Sequence, residues 1–162
     1  MSVTRDILAC YRRPREVFER RMSGDEGLVL TYAIIAGLLA FVGQLPVWSR
    51  QAELLPELGN FASLVYSGFL VLVFVFPLFF YILAALIWFP LRALAGVSGL
   101  DIRLSMFWSL LAAMPLWLLL GLTQGLIGPG TETYLVFVLW FIAFLAFFTI
   151  GLRIASRNMG TA

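Results

Sequence analysis

The stretch YRRPREVFERRMSGDEGLVL, Tyr11–Leu30, decides how the rest of the chain is read. It carries five arginines between Arg12 and Arg21 and then turns apolar. All eleven basic residues of the chain are arginine, against nine acids, for a net charge of only +2. The chain as a whole is no polycation. What needs a cause is the gathering of positive charge immediately ahead of the apolar part.

Outward from that boundary, composition sets the class. Of 162 residues, 62% are hydrophobic and 12% charged. A soluble domain carries about 45–50% apolar and about 25% charged residues, and a water-soluble fold this small has too much surface for its volume to hide such an excess. The expected fold is an all-α integral membrane bundle. A crossing helix needs about 20 mostly apolar residues, and four uncharged stretches qualify: 28–48, 61–89, 104–122 and 134–152. The expected organisation is an amino-terminal amphipathic interfacial arm over 1–26, a four-helix transmembrane bundle over 27–153 and a short tail over 154–162.

Local signals mark the boundaries. Ser23-Gly24-Asp25-Glu26 reads as a capping box before an apolar run. Gly125-Leu126-Ile127-Gly128-Pro129-Gly130 reads as a turn, with Thr131 placed to cap the last span. Pro90 ends or kinks the second span, and Gly96 and Gly99 break the chain after it. That span is too long: its 29 residues reach about 43 Å against a hydrocarbon core of about 30 Å. Pro77 lies at its middle, giving either a tilted, kinked helix or a pair of half-helices of the kind found in transporters. Pro115 is a second expected kink.

Small residues four apart let membrane helices approach closely. Ala33 with Gly37, Ala36 with Ala40, and Ser105 with Ser109 and Ala113 have that spacing and are the candidate packing positions. The phenylalanines of the second and fourth spans supply bulk toward lipid and neighbouring helices. Trp48, Trp88, Trp108, Tyr32 and Tyr134 lie near span ends, where aromatic rings favour the interface.

Arginine counting then answers the opening question. The arm holds Arg5, Arg12, Arg13, Arg15, Arg20 and Arg21; the second loop holds Arg92 and Arg103; the tail holds Arg153 and Arg157. Only Arg50 lies on the other side. By the positive-inside rule both termini are expected in the cytoplasm. Arginine at every basic position points to a GC-rich bacterial genome, hence a bacterial inner membrane. Ile7, Tyr11, Phe18 and Met22 form an apolar stripe on a helical arm, and Pro14 suits the first turn of a second short helix. Arg12, Arg13, Arg15, Arg20 and Arg21, with Arg92 and Arg103 in the second loop, are therefore the candidate contacts for lipid headgroups or a partner. Asp101 is placed to cap the third span. Nucleic acid is not an expected partner, because Asp6, Glu16 and Glu19 dilute the arm's field and no nucleic-acid motif surrounds it.

Chemistry is harder to find. The chain has no histidine and one cysteine, Cys10, so an internal disulfide and a Cys/His metal cage are excluded. Cys10 reads as a half-buried small residue, or as a juxtamembrane acylation site in a eukaryote. Ionisable residues within spans mark ion paths and proton relays, and none stands there. Gln44 and Gln124 sit near the far face, as interhelical hydrogen bonders or as the lining of a small vestibule. No catalytic residue and no cofactor is expected, apart from structural phospholipid.

The arm segment Tyr-Arg-Arg-Pro-Arg-Glu-Val-Phe, Tyr11–Phe18, with Pro14 and Phe18 ahead of aromatic-rich spans, resembles small bacterial members of the Yip family, multi-pass proteins related to Ypt/Rab-GTPase-interacting proteins. That family usually has five spans, and this chain has four candidates. The resemblance implies no catalysis and a membrane-organising or partner-binding role. The expected function is a non-catalytic accessory or assembly subunit, or membrane organiser, working through lateral helix contacts and the basic arm. Its partners would be membrane lipids and another membrane protein or a second copy of itself. The alternative is a small oligomeric transporter or channel subunit.

Overall fold

The computed structural model describes residues 3–21 and 25–159. Two short helices form the arm, α1 (Val3–Cys10) and α2 (Pro14–Arg21). Pro14 opens α2, where its missing N–H is not needed. The first span is α3 (Glu26–Leu54), followed by a 3₁₀ turn, Pro56–Leu58. The second span joins α4 (Phe61–Leu70), a π-helical turn (Val71–Val75) and α5 (Phe76–Ala95). The third and fourth spans are α6 (Gly99–Leu126) and α7 (Thr131–Met159). Among the described residues four helices are long and apolar enough to cross a membrane, so the protein is a multi-pass, all-α membrane bundle.

The spans overrun their apolar cores because polar ends continue the helices. Asp25 caps α3, its carboxylate accepting the Leu28 N–H at 3.0 Å; Ser23, expected to cap it, lies outside the described residues, as does Met22. Ser98, not Asp101, caps α6 by accepting the Leu100 N–H. Thr131 is the first helical residue of α7, not its cap: the Gly130 carbonyl already accepts the Tyr134 N–H at 3.1 Å. Helix α5 runs through Pro90 and stops at Gly96, whose φ of 65° is a left-handed C-cap.

Pro77 does not split its span. Proline lacks an N–H and crowds the carbonyl four residues back, here Val73. The ladder slips by one residue over Val71–Val75, a π-turn, and the helix continues. That turn meets α3 at a glycine: a Cβ on Gly37 would stand 2.7 Å from the Leu72 carbonyl oxygen.

Helix α6 is the hub. Every residue from Leu104 to Met114 is buried, all the way round the helix, as expected only of a helix enclosed by others. It packs on α3 and α7, with α5 alongside and the arm over one end. All seven small-residue packing positions, Ala33, Ala36, Gly37, Ala40, Ser105, Ser109 and Ala113, are buried. The tightest crossing is one the small-residue spacing missed. A Cβ on Gly121 would overlap the Gly43 carbonyl, and one on Gly125 would stand 2.5 Å from Pro46. On the other side of α6, a Cβ on Gly151 would meet both Ser105 and Phe18 at 2.8 Å. The second span is by contrast peripheral, with only 17% of its most apolar stretch buried.

Candidate functional site

The arm does not lie flat on the bundle's surface. Its two helices turn at Tyr11–Arg13 and bury Cys10, Val17 and Phe18 completely against α6 and α7. Tyr11 donates its hydroxyl hydrogen to the Ala112 carbonyl at 3.1 Å and sets its ring edge-on to Phe147. Pro115, expected as a kink, lies inside α6, which continues through it to Leu126; its missing N–H leaves the Leu111 carbonyl, four residues back, without a helical donor. Ala112 lies 13 residues into α6, about 20 Å along the helix. The Tyr11 hydroxyl thus reaches nearly half-way along α6, and Phe18 of the arm's apolar stripe faces protein, where the sequence pointed to an interface.

The docked arm carries an ion pair with it. Arg21 bonds the Asp6 carboxylate through two nitrogens, one at 3.1 Å, and donates to the Tyr32 hydroxyl at 3.1 Å. Its guanidinium also stacks over the Trp108 ring, 5.2 Å from the centroid. Arg20 approaches the other Asp6 oxygen at 3.8 Å. The side chains of Arg21 and Asp6 are 18% and 10% exposed. Burial alone would pull the Arg21 pKa down, but its bonds to Asp6 and Tyr32 outweigh that and hold it above its ordinary value. Arg21, a candidate headgroup contact by sequence, is instead an internal latch. Tyr32 and Trp108, expected at the interface, are its buried walls, each 1% exposed. Burial pushes the neighbouring Cys10 thiol up to about 11, so it stays protonated and inert near neutral pH.

Arg12, Arg13 and Arg15 are exposed on this platform, as is Arg20 beside its contact with Asp6. Arg13 pairs loosely with Glu16 at 3.6 Å, and Arg12 and Arg13 rim a cavity of about 710 Å³ floored by Ala9 and Tyr11. The exposed Arg153 and the second-loop arginines lie at this same end.

The sequence put Arg92 and Arg103 in the second loop, but they lie on the helices that flank it, α5 and α6; Arg92 stacks on Trp88 at 5.1 Å, and the Trp88 indole N–H donates to the Val97 carbonyl at 3.2 Å. Arg103 holds Glu26 of α3 at 3.0 Å through an outer nitrogen, while its Nε is buried without a partner. A cleft of about 610 Å³ opens beside it between α5 and the start of α6. Among the described side chains of this end, Arg21 is locked inside, Arg103 is half-buried at a cleft, and Arg5, Arg12, Arg13, Arg15, Arg20, Arg92 and Arg153 are exposed.

At the far end, Arg50 donates to the Leu126 carbonyl at 3.2 Å and lies against Gly128, where φ is 105°. A cation on the negative end of α6 is favourable, which accounts for the one arginine on that side. Gln44 and Gln124 are half-buried on α3 and α6. Among the described residues no group of three or more His, Cys, Asp or Glu gathers as a metal site.

Sequence reasoning missed Asp6, Tyr32 and Trp108 as a set. An acid early in an arginine-rich arm was the available signal, and it registered only as dilution of charge. Comparison with family models, with curated proteins and with solved structures finds no match to this chain. The resemblance to the Yip family thus gains no support there and meets no conflict.

Proposed function

We propose that the protein is a non-catalytic accessory or organising subunit of a bacterial inner membrane, with both termini in the cytoplasm. Its docked arm would display arginines to an acidic partner protein or to anionic lipid. The observation that carries this reading is the latch. Arg21, Asp6, Tyr32 and Trp108 fix the arm to α3 and α6, so Arg12, Arg13 and Arg15 stand on a rigid base. Charges held in place on a scaffold bind at lower entropic expense than charges on a free tail. The ten-to-one arginine asymmetry supports the orientation. In the Yip-like reading, the arm would be the partner-recognising part.

The test is reconstitution beside association. The R12Q/R13Q/R15Q variant should lose binding to vesicles containing phosphatidylglycerol, or to a co-purifying partner, while Cys10 stays shielded. Saturable solute flux or substrate turnover by the purified, reconstituted chain would overturn the reading. The rival role of small oligomeric transporter or channel subunit draws on one observation, the π-turn ahead of Pro77, since such turns within α-helices recur at functional sites.

A further inference from the structure

The cleft at Arg103 shares one wall, Tyr81, with a second cavity. An apolar groove of about 470 Å³ runs between α3 and the second span, past Ala33, Val73, Phe74 and Pro77. Tyr81 lines both spaces, its ring 4.7 Å from that of Phe107. Together they make a slot along the second span, with Tyr81 standing between its two halves.

The slot changes character along its length. At the arm end it is walled by Trp88 and Ser98 and by Arg103, its one charged lining residue. Arg103 lines the cleft with its side chain 36% exposed, Glu26 occupying one outer nitrogen, while its Nε is buried without a partner. The capped start of α6 adds the positive end of a helix dipole. Arg92, stacked on Trp88, brings a second cation to the rim. Below Tyr81 the described lining is wholly apolar. From Trp88 to Phe74 is 14 residues, about 21 Å of helix. One leaflet, hydrocarbon plus headgroup region, is about 20–22 Å thick.

We infer that this slot holds one anionic glycerophospholipid, its phosphodiester on Arg103 at the start of α6 and one acyl chain beside Tyr81, reaching toward Pro77. Charge complementarity at one end, an apolar wall at the other and a length of one leaflet select that occupant over a soluble anion, which leaves the groove unused. The π-turn and Pro77 shape the lower wall, which gives the distortion of the second span a purpose. The site is separate from the arm's displayed arginines, although it shares with the proposed function the placement of this end at a membrane surface.

The experiment is native mass measurement of the detergent-purified chain, delipidated and titrated with dioleoylphosphatidylglycerol, with dioleoylglycerol as the phosphate-free probe. One phosphatidylglycerol per chain should survive activation that strips bulk lipid. Loss of a charge-assisted hydrogen bond in R103Q should weaken retention about tenfold or more, and Ala85→Phe, which fills the cleft wall without touching charge, should weaken it similarly. The R12Q/R13Q/R15Q variant should retain the lipid, which separates this site from the arm. Equal retention by wild type and R103Q, or equal retention of dioleoylglycerol, would overturn the inference.

Discussion

Replacing Asp6 by alanine should undock the arm. Arg21 would keep its bond to Tyr32 and its seat over Trp108, but its guanidinium would lose the carboxylate it meets through two nitrogens. Removing one partner of a buried pair costs about 3–5 kcal/mol when the other charge is stranded. Arg21 retains some exposure and a cation–π contact of roughly 0.5–2 kcal/mol, so about 2–3 kcal/mol is the expected loss. Cys10 supplies the assay, because it is the chain's one cysteine, fully buried under the arm. Maleimide labelling at pH 7.5 would proceed through the open arm, and its rate would follow the open population. A loss of 2–3 kcal/mol corresponds to labelling roughly 30- to 150-fold faster. Arg21→Met should do less, since Arg20 already stands 3.8 Å from Asp6 and can re-pair with it. The Asp6→Leu, Arg21→Met double variant should label more slowly than Asp6→Ala, because no charge is left stranded. Labelling of Asp6→Ala at the wild-type rate would refute the latch.

Three further outcomes follow from the same geometry. Tyr11→Phe removes the hydrogen bond to Ala112, worth about 1 kcal/mol; Cys10 labelling should rise about fivefold. Gly121→Ala places a methyl group on the Gly43 carbonyl and should lower stability to detergent unfolding by about 2 kcal/mol or more, whereas Gly27→Ala, with nothing nearer than 3.4 Å, should change little. The Cys10 thiol sits near 11 when docked against 9.0 as its ordinary value. A raised acid stabilises the docked state fully below pH 9 and loses that contribution as pH climbs toward 11. Hydrogen exchange in α1 should therefore accelerate over that window in wild type, and less in Cys10→Ala.

The class and the spans were legible because they rest on composition and length, which tertiary contacts do not override. The buried small residues of α3 and α6 were legible for a similar reason, since close approach demands them. Gly43 and Gly121 were not, because a single crossing point leaves no periodic trace in either helix. The arm's stripe correctly singled out Phe18 and Tyr11 but not what they touch. An apolar face reads alike whether it meets lipid or protein, and only the third dimension sets Phe18 against Gly151 and Tyr11 against Ala112. Arg21 looked like its neighbours for the same reason. Its difference lies in Asp6, Tyr32 and Trp108, three residues distant from one another in sequence. The cleft at Arg103 was half legible: Arg92 and Arg103 stood out as charges, while the apolar groove below them did not.

The most direct measurement is the native mass of the protein taken from its own membrane in mild detergent, for wild type and for R12Q/R13Q/R15Q. The expected wild-type mass exceeds a whole number of chains by a partner protein or bound anionic lipid. The variant should lose that excess, apart from the single lipid assigned to Arg103, with Cys10 still shielded. The same mass for both proteins, or a wild-type mass of bare chains with no excess, would contradict a docked arm whose purpose is to present its arginines.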